Sequence, residues 1–169
     1  MAKESETIVV ITDANVVINL FHIGQLTLLG SLPPYRFRIP SDVLAEIIDP
    51  AQQAAVTARI EAGDVEETTV DDMASLSLFA DLRDVMGRGE AACLALATTG
   101  GFYIASDEKK RFRRRAVELI GEARILRTEH LLVEAIRRNH ITIEVADRYK
   151  DILAANSYAL PFASFAEVL

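Results

Sequence analysis

Two unbroken apolar runs constrain this chain most. Residues 8–12 (IVVIT) and 102–105 (FYIA) are short, rich in β-branched and aromatic side chains, and lack the polar alternation of a half-exposed strand. Such runs suit strands buried on both faces, and these occur in parallel sheets covered by helices. An acid follows each run, Asp13 directly after the first and Asp107 just beyond the second. Residues past the carboxyl ends of parallel strands line the ligand crevice of an open sheet.

The rest of the chain reads as the alternation such a sheet requires. Strands are expected at 35–39, 65–70 and 123–126. Helices are expected at 14–21, 25–29, 42–48, 51–62, 72–86, 90–98, 108–120 and 128–138. The tail, 141–169, reads as mostly helical with a break near 156–161. Strands separated by one or two helices indicate an α/β fold. With 169 residues, no repeat and no low-complexity stretch, one domain is expected, with its core over about 8–138.

Four acids stand where a strand should end or a helix should begin: Asp13 in TDANVVINL, Glu46 in SDVLAEII, Glu90 in GRGEAACLALA and Asp107 in ASDEKKRF. Each has a plainer reading. Asp13 and Asp107 can cap helices, Glu90 can favour the first turn of one, and Glu46 can be a solvated helix residue. The set carries the signal. Carboxylates crowded at one sheet end repel unless a cation lies between them, and Mg2+ or Mn2+ prefers oxygen ligands. Glu108, beside Asp107, is a possible auxiliary ligand; Asn15 can hydrogen-bond a carboxylate or cap a helix, and Ser106 is a second possible cap beside Asp107.

Charge is unevenly spread. The chain carries −7 overall, but residues 1–90 hold 6 Lys/Arg against 15 Asp/Glu, and residues 91–169 hold 12 against 10. Six of those twelve bases lie in 109–115 (KKRFRRR). Lys109, Lys110, Arg111, Arg113 and Arg114 therefore form a candidate phosphate-binding surface beside Asp107, with a solvated helix face as the alternative. No apolar run reaches the roughly 18 residues of a membrane span, and the acidic N-terminus does not read as a secretory signal. The single Cys93 fits a reducing compartment, so a cytoplasmic location is expected. His22, His130 and His140 are isolated from any zinc spacing, and no nucleophile elbow, phosphate loop or dinucleotide fingerprint is present.

Taken in order, TDANVVINL, SDVLAEI, GRGEAACLALA and ASDEKKRFRRRA resemble the PIN-domain family of metal-dependent ribonucleases over most of the chain, from residue 8 to about 136. The ending LPFASFAEVL is similar to a subgroup related to toxins of the VapC type. The resemblance implies a three-layer α/β/α fold around a parallel sheet of four or five strands. It implies a Mg2+ or Mn2+ site at Asp13, Glu46, Glu90 and Asp107, with Asn15 and Ser106 in support. The implied reaction is hydrolysis of RNA phosphodiester bonds by metal-activated water, with Glu46 orienting or deprotonating that water. It further implies an antitoxin partner and a homodimer, met through 42–62 and 72–86. One departure stands out: many relatives have a second Asp where this chain has Glu108. A receiver-like Mg2+-binding signalling module and a catalytically weak PIN interaction module are the alternatives.

Overall fold

The computed structural model describes residues 5–169. Met1–Glu4, on which the absence of a secretory signal partly rests, lie outside the described residues. Five strands form one parallel sheet: β1 (Ile8–Thr12), β2 (Tyr35–Pro40), β3 (Val65–Thr68), β4 (Tyr103–Ala105) and β5 (Ile125–Leu126). Their spatial order is β3-β2-β1-β4-β5. Ile8 pairs with Tyr35 on one side of β1, and Thr12 pairs with Ala105 on the other. The chain thus winds outward from β1 through β2 to β3, then returns to the opposite side of β1 for β4 and β5. That reversal makes the carboxyl ends of β1 and β4 the switch-point crevice. Asp13 and the residues after Ala105 lie there.

Among the described residues, eight α-helices cover the sheet: α1 (Ala14–His22), α2 (Ser41–Leu44), α3 (Pro50–Glu61), α4 (Met73–Arg83), α5 (Arg88–Gly100), α6 (Lys110–Ile120), α7 (Thr128–Arg137) and α8 (Ile143–Ala155). α1 touches α3, α7 and α8, while α5 touches α2, α4 and α6. These two groups are the outer layers of a three-layer α/β/α fold. α5 is the most deeply set helix, because its run of small side chains lets it approach the sheet closely. Ala91 through Ala97 are all buried. Val10, Ile11, Phe37, Ile39 and Ile104 meet it and the other helices from the strands.

Several boundaries differ from the sequence reading, and three of the differences matter to the site. The expected helix 42–48 is only α2, Ser41–Leu44. Glu46 lies past it, in a turn closed by Glu46 N–H to Val43 and Ile47 N–H to Leu44. Further on, Pro50 disfavours helical geometry at Asp49, which is extended and caps α3 through Gln52 N–H. α5 starts at Arg88 rather than Glu90, with Gly87 as its cap, so Gly89 lies in the first turn. α6 starts at Lys110, which leaves Asp107, Glu108 and Lys109 in a turn beyond β4. In the tail, α8 is followed by irregular chain that still packs inward, with Tyr158 and Phe165 buried.

Candidate metal centre

Asp13 is the most deeply buried of the acids and does two jobs. It follows β1, and its Oδ1 accepts the Ala14 N–H at 2.8 Å, capping α1. Its Oδ2 accepts the Ser106 hydroxyl at 3.1 Å from across the crevice. The side chain is only 3 % exposed. Burial pushes its pKa up to about 7, and the charges of Glu108 and Glu90 push in the same direction.

Glu90 is held at the start of α5, where one oxygen accepts the Gly87 N–H at 3.3 Å. Its pKa is also raised, first by burial and then by the nearby Glu108 and Glu46. Glu46 reaches the same place from the turn after α2: its Oε1 accepts the Gly89 N–H at 2.8 Å. This approach requires the glycine, since a Cβ on Gly89 would lie 2.5 Å from Glu46 Oε2. Cys93 lies beneath, fully buried, its thiol pushed well above its ordinary pKa by burial and by Asp13, Glu46 and Glu90.

Neighbouring acids Asp107 and Glu108 face different ways. Both oxygens of Asp107 are taken. Oδ1 accepts the Thr128 N–H at 2.8 Å and lies 2.9 Å from the Tyr158 hydroxyl. Oδ2 accepts the Asn19 side-chain amide at 2.8 Å and the Thr128 hydroxyl at 2.5 Å. Asp107 therefore ties α1, the start of α7 and the tail to the end of β4. Burial raises its pKa, while these donors pull it back. Glu108 has one side-chain donor, the Asn15 amide at 3.0 Å on Oε1. It is Glu108 whose charge acts on Asp13 and Glu90. The sequence expectation placed Asp107 in the cluster and left Glu108 open; in the structure Asp107 is held by donors from α1, α7 and the tail, whereas Glu108 keeps one oxygen without a donor among the described residues. Asn15 fixes the turn from both sides, donating to Glu108 and accepting the Asp107 N–H at 3.1 Å.

Asn19, Thr128, Tyr158 and Gly89 were not singled out from the sequence. Asn19 alone left a local sign, an amide on the apolar face of α1. Thr128 and Tyr158 come from 21 and 51 residues beyond Asp107, separations that carry no pattern.

The basic run divides as well. Arg111 donates to the Val85 carbonyl, Arg113 pairs with Glu122, and Arg115 pairs with Glu118. Lys109, Lys110 and Arg114 make no ion pair among the described residues, and the two lysines line the cleft beside Glu108.

The donor set suits a hard divalent cation. Asp13, Glu46, Glu90 and Glu108 offer only oxygens, and Glu46 Oε2, Glu90 Oε1 and Glu108 Oε2 accept no hydrogen bond among the described residues. Among the described residues, no three acidic, histidine or cysteine side chains are already drawn to metal-ligand spacing. Burial, and after it the charge of neighbouring carboxylates, raises the pKa of both Asp13 and Glu90, the electrostatic sign that positive charge would be favourable there.

Fold and site together define a parallel α/β protein with an acid-lined crevice at its switch point. The chain belongs to the PIN-domain family, whose family model matches residues 9–161. Proteins of this family are in general nucleases that use divalent metal ions. Family membership displaces the receiver-like alternative. No curated protein matches the chain. Among solved structures it is similar to FitAcB from Neisseria gonorrhoeae, at 13% identity over 72% of this chain and 99% of that one, with a TM-score of 0.43. That likeness is too slight to bear on residue roles. No helix among the described residues is long and apolar enough to cross a membrane.

Proposed function

We propose that the protein is a metal-dependent endoribonuclease and the toxin half of a toxin–antitoxin pair. The observation that supports the nuclease reading best is the approach of Glu90 and Glu108 to the buried Asp13, and of Glu46 and Glu108 to Glu90, where neighbouring charge adds to burial in raising the Asp13 and Glu90 pKa values. Asp13, Glu90 and Glu108 would hold Mg2+ or Mn2+. Asp107, already saturated with donors, would act as the clamp that sets the Glu108 turn. When bound, the ion supplies Lewis acidity toward a phosphodiester oxygen and lowers the pKa of water.

The chain's own groups do the remaining work. Ser106 and the Ala14 N–H fix Asp13, and Asn15 fixes Glu108. Glu46, exposed and anchored through one oxygen to Gly89, has its other oxygen available to take a proton from the attacking water. Lys109 and Lys110 supply positive charge for the substrate phosphates. No covalent intermediate with the protein is required.

The toxin role rests on the sequence resemblance, as do RNA as substrate, the antitoxin and a second copy of the chain. The surface assigned to protein partners, along α3 and α4, carries strongly exposed apolar side chains at Ile48 and Met73. A reducing cytoplasm suits the free, buried Cys93. The test is cleavage of single-stranded RNA with and without Mn2+. Wild type should cut only with the metal, and Glu90→Gln should not cut while melting normally. Full activity in excess chelator, or in Glu90→Gln, overturns the proposal.

A further inference from the structure

We propose that the cleft between α1, the Asp107–Lys110 turn and the tail after α8 holds the nucleotide adjacent to the scissile phosphate, with Asn156 and Ser157 as its far wall. This rests on the ribonuclease reading above and adds to it where the strand lies and which residues receive it.

Position is the first argument. The cleft measures about 530 Å3 and is lined by Glu108 of the acidic centre together with Asn15 and Asp107, which hold the Glu108 turn. That volume falls within the range of small-ligand sites, roughly 300–1,000 Å3. A strand with one phosphate over Glu108 would have this cleft directly beside it.

Charge gives the direction. Lys109 and Lys110 line the cleft and are free of ion pairs among the described residues. Asp42 and Glu46 do not line this cleft; they stand at the start of α5, where Arg88 is engaged by Asp42 and the Gly89 N–H by Glu46. A polyanion leaving the acidic centre through this cleft therefore meets cations free of ion pairs, whereas at the start of α5 it meets carboxylates and a cation already engaged.

The walls fit a base. Ile18 contributes an apolar surface, and His22 lies beside it with its Nδ1 buried and unpartnered among the described residues. Asn156 donates its amide to the Ile152 carbonyl, which leaves its Oδ1 as an acceptor. The Ser157 hydroxyl has no partner among the described residues, and its residue sits at φ 69°, turning the chain back toward the core. An unstacked base has a flat apolar face and polar edges, the features that single-stranded RNA presents to proteins. The wall is in register with the acidic centre because the next residue, Tyr158, is buried, and its hydroxyl lies against both Asp107 and Glu129.

The experiment measures binding of a fluorescent hexaribonucleotide to the full chain by anisotropy, with Ca2+ replacing Mg2+ to suppress cleavage, over a range of salt. Asn156→Ala/Ser157→Ala should weaken binding about 3- to 10-fold without changing the salt dependence. Lys109→Ala/Lys110→Ala should weaken it more at low salt and reduce the log–log salt slope by about 1.4, near 0.7 for each phosphate no longer neutralised. Thermal melts of each variant establish that it is folded. Wild-type affinity in the tail variant overturns the proposal, as does a weakening in Arg114→Ala equal to that of the lysine pair, which would route the strand along α6 instead. Failure of wild type to bind the hexanucleotide also overturns it. Binding with these effects but no Mn2+-dependent cleavage would sink the ribonuclease reading and leave the subsite standing. Cleavage with unaffected tail variants would do the reverse.

Discussion

Substituting Asp107 and Glu108 separately should damage the protein in different ways. Asp107→Ala removes the acceptor for the Thr128 N–H, the Thr128 hydroxyl, the Asn19 amide and the Tyr158 hydroxyl, with Asn19 and Thr128 buried. Each buried donor left unpaired costs about 1–3 kcal/mol, and the costs within one network do not add. Removing a carboxylate whose pKa burial has raised recovers part of the loss. A net destabilisation of about 3 kcal/mol follows, near the upper end for single substitutions. In a chain this long each kcal/mol lowers Tm by about 2–4 °C, so the expected drop is roughly 6–12 °C. Glu108→Gln is different. Its half-buried side chain gives up no buried partner, and a glutamine oxygen can still accept the Asn15 amide. Stability should stay within about 0.5 kcal/mol of wild type. Cleavage should nonetheless fall by about 100-fold or more, the scale of losing a charged group that stabilises the transition state. Thermal melts and initial rates on labelled RNA with Mn2+ measure both quantities. A normally melting but inactive Asp107→Ala, together with an active Glu108→Gln, would return Asp107 to the ligand set and refute the reasoning.

Other consequences are open to measurement. The pKa of Asp13 stands near 7 in the folded protein against an ordinary 3.8, so the folded state binds the proton more tightly than the unfolded chain does. Without metal, stability should therefore fall as pH rises from about 4 to about 7 and level off above; Asp13→Asn should flatten that slope, and an unchanged slope would count against it. Mn2+ should raise Tm most above pH 7, where Asp13 is ionised, and the gain should vanish in Glu90→Gln. Gly89→Ala places a Cβ against the Glu46 carboxylate; the flexible end of Glu46 can move aside, so a stability loss under about 1 kcal/mol is expected with about tenfold lower activity, whereas unchanged activity would exclude Glu46 from the reaction.

The sequence alone determined the class of fold and the neighbourhood of the site. Buried parallel strands must be apolar on both faces, so residues 8–12 and 102–105 announced themselves and their carboxyl ends drew attention to Asp13 and to the acids after Ala105. The small residues of α5 likewise marked a helix pressed against the sheet. What the tertiary structure decided was which carboxylates face one another. Asp107 and Glu108 are adjacent in sequence, and nothing local tells which is satisfied; their separate roles follow from Asn19, Thr128 and Tyr158, brought to one side of the β4 turn from distant elements. The sequence places Glu46 inside a helix, whereas α2 ends at Leu44 and Glu46 reaches the Gly89 N–H from the turn that follows. The basic run shows the same division. Its charge was plain in the sequence, but which cations remain available depended on where Val85, Glu118 and Glu122 stand, and hydrogen bonds and ion pairs between distant segments leave no periodic trace along the chain.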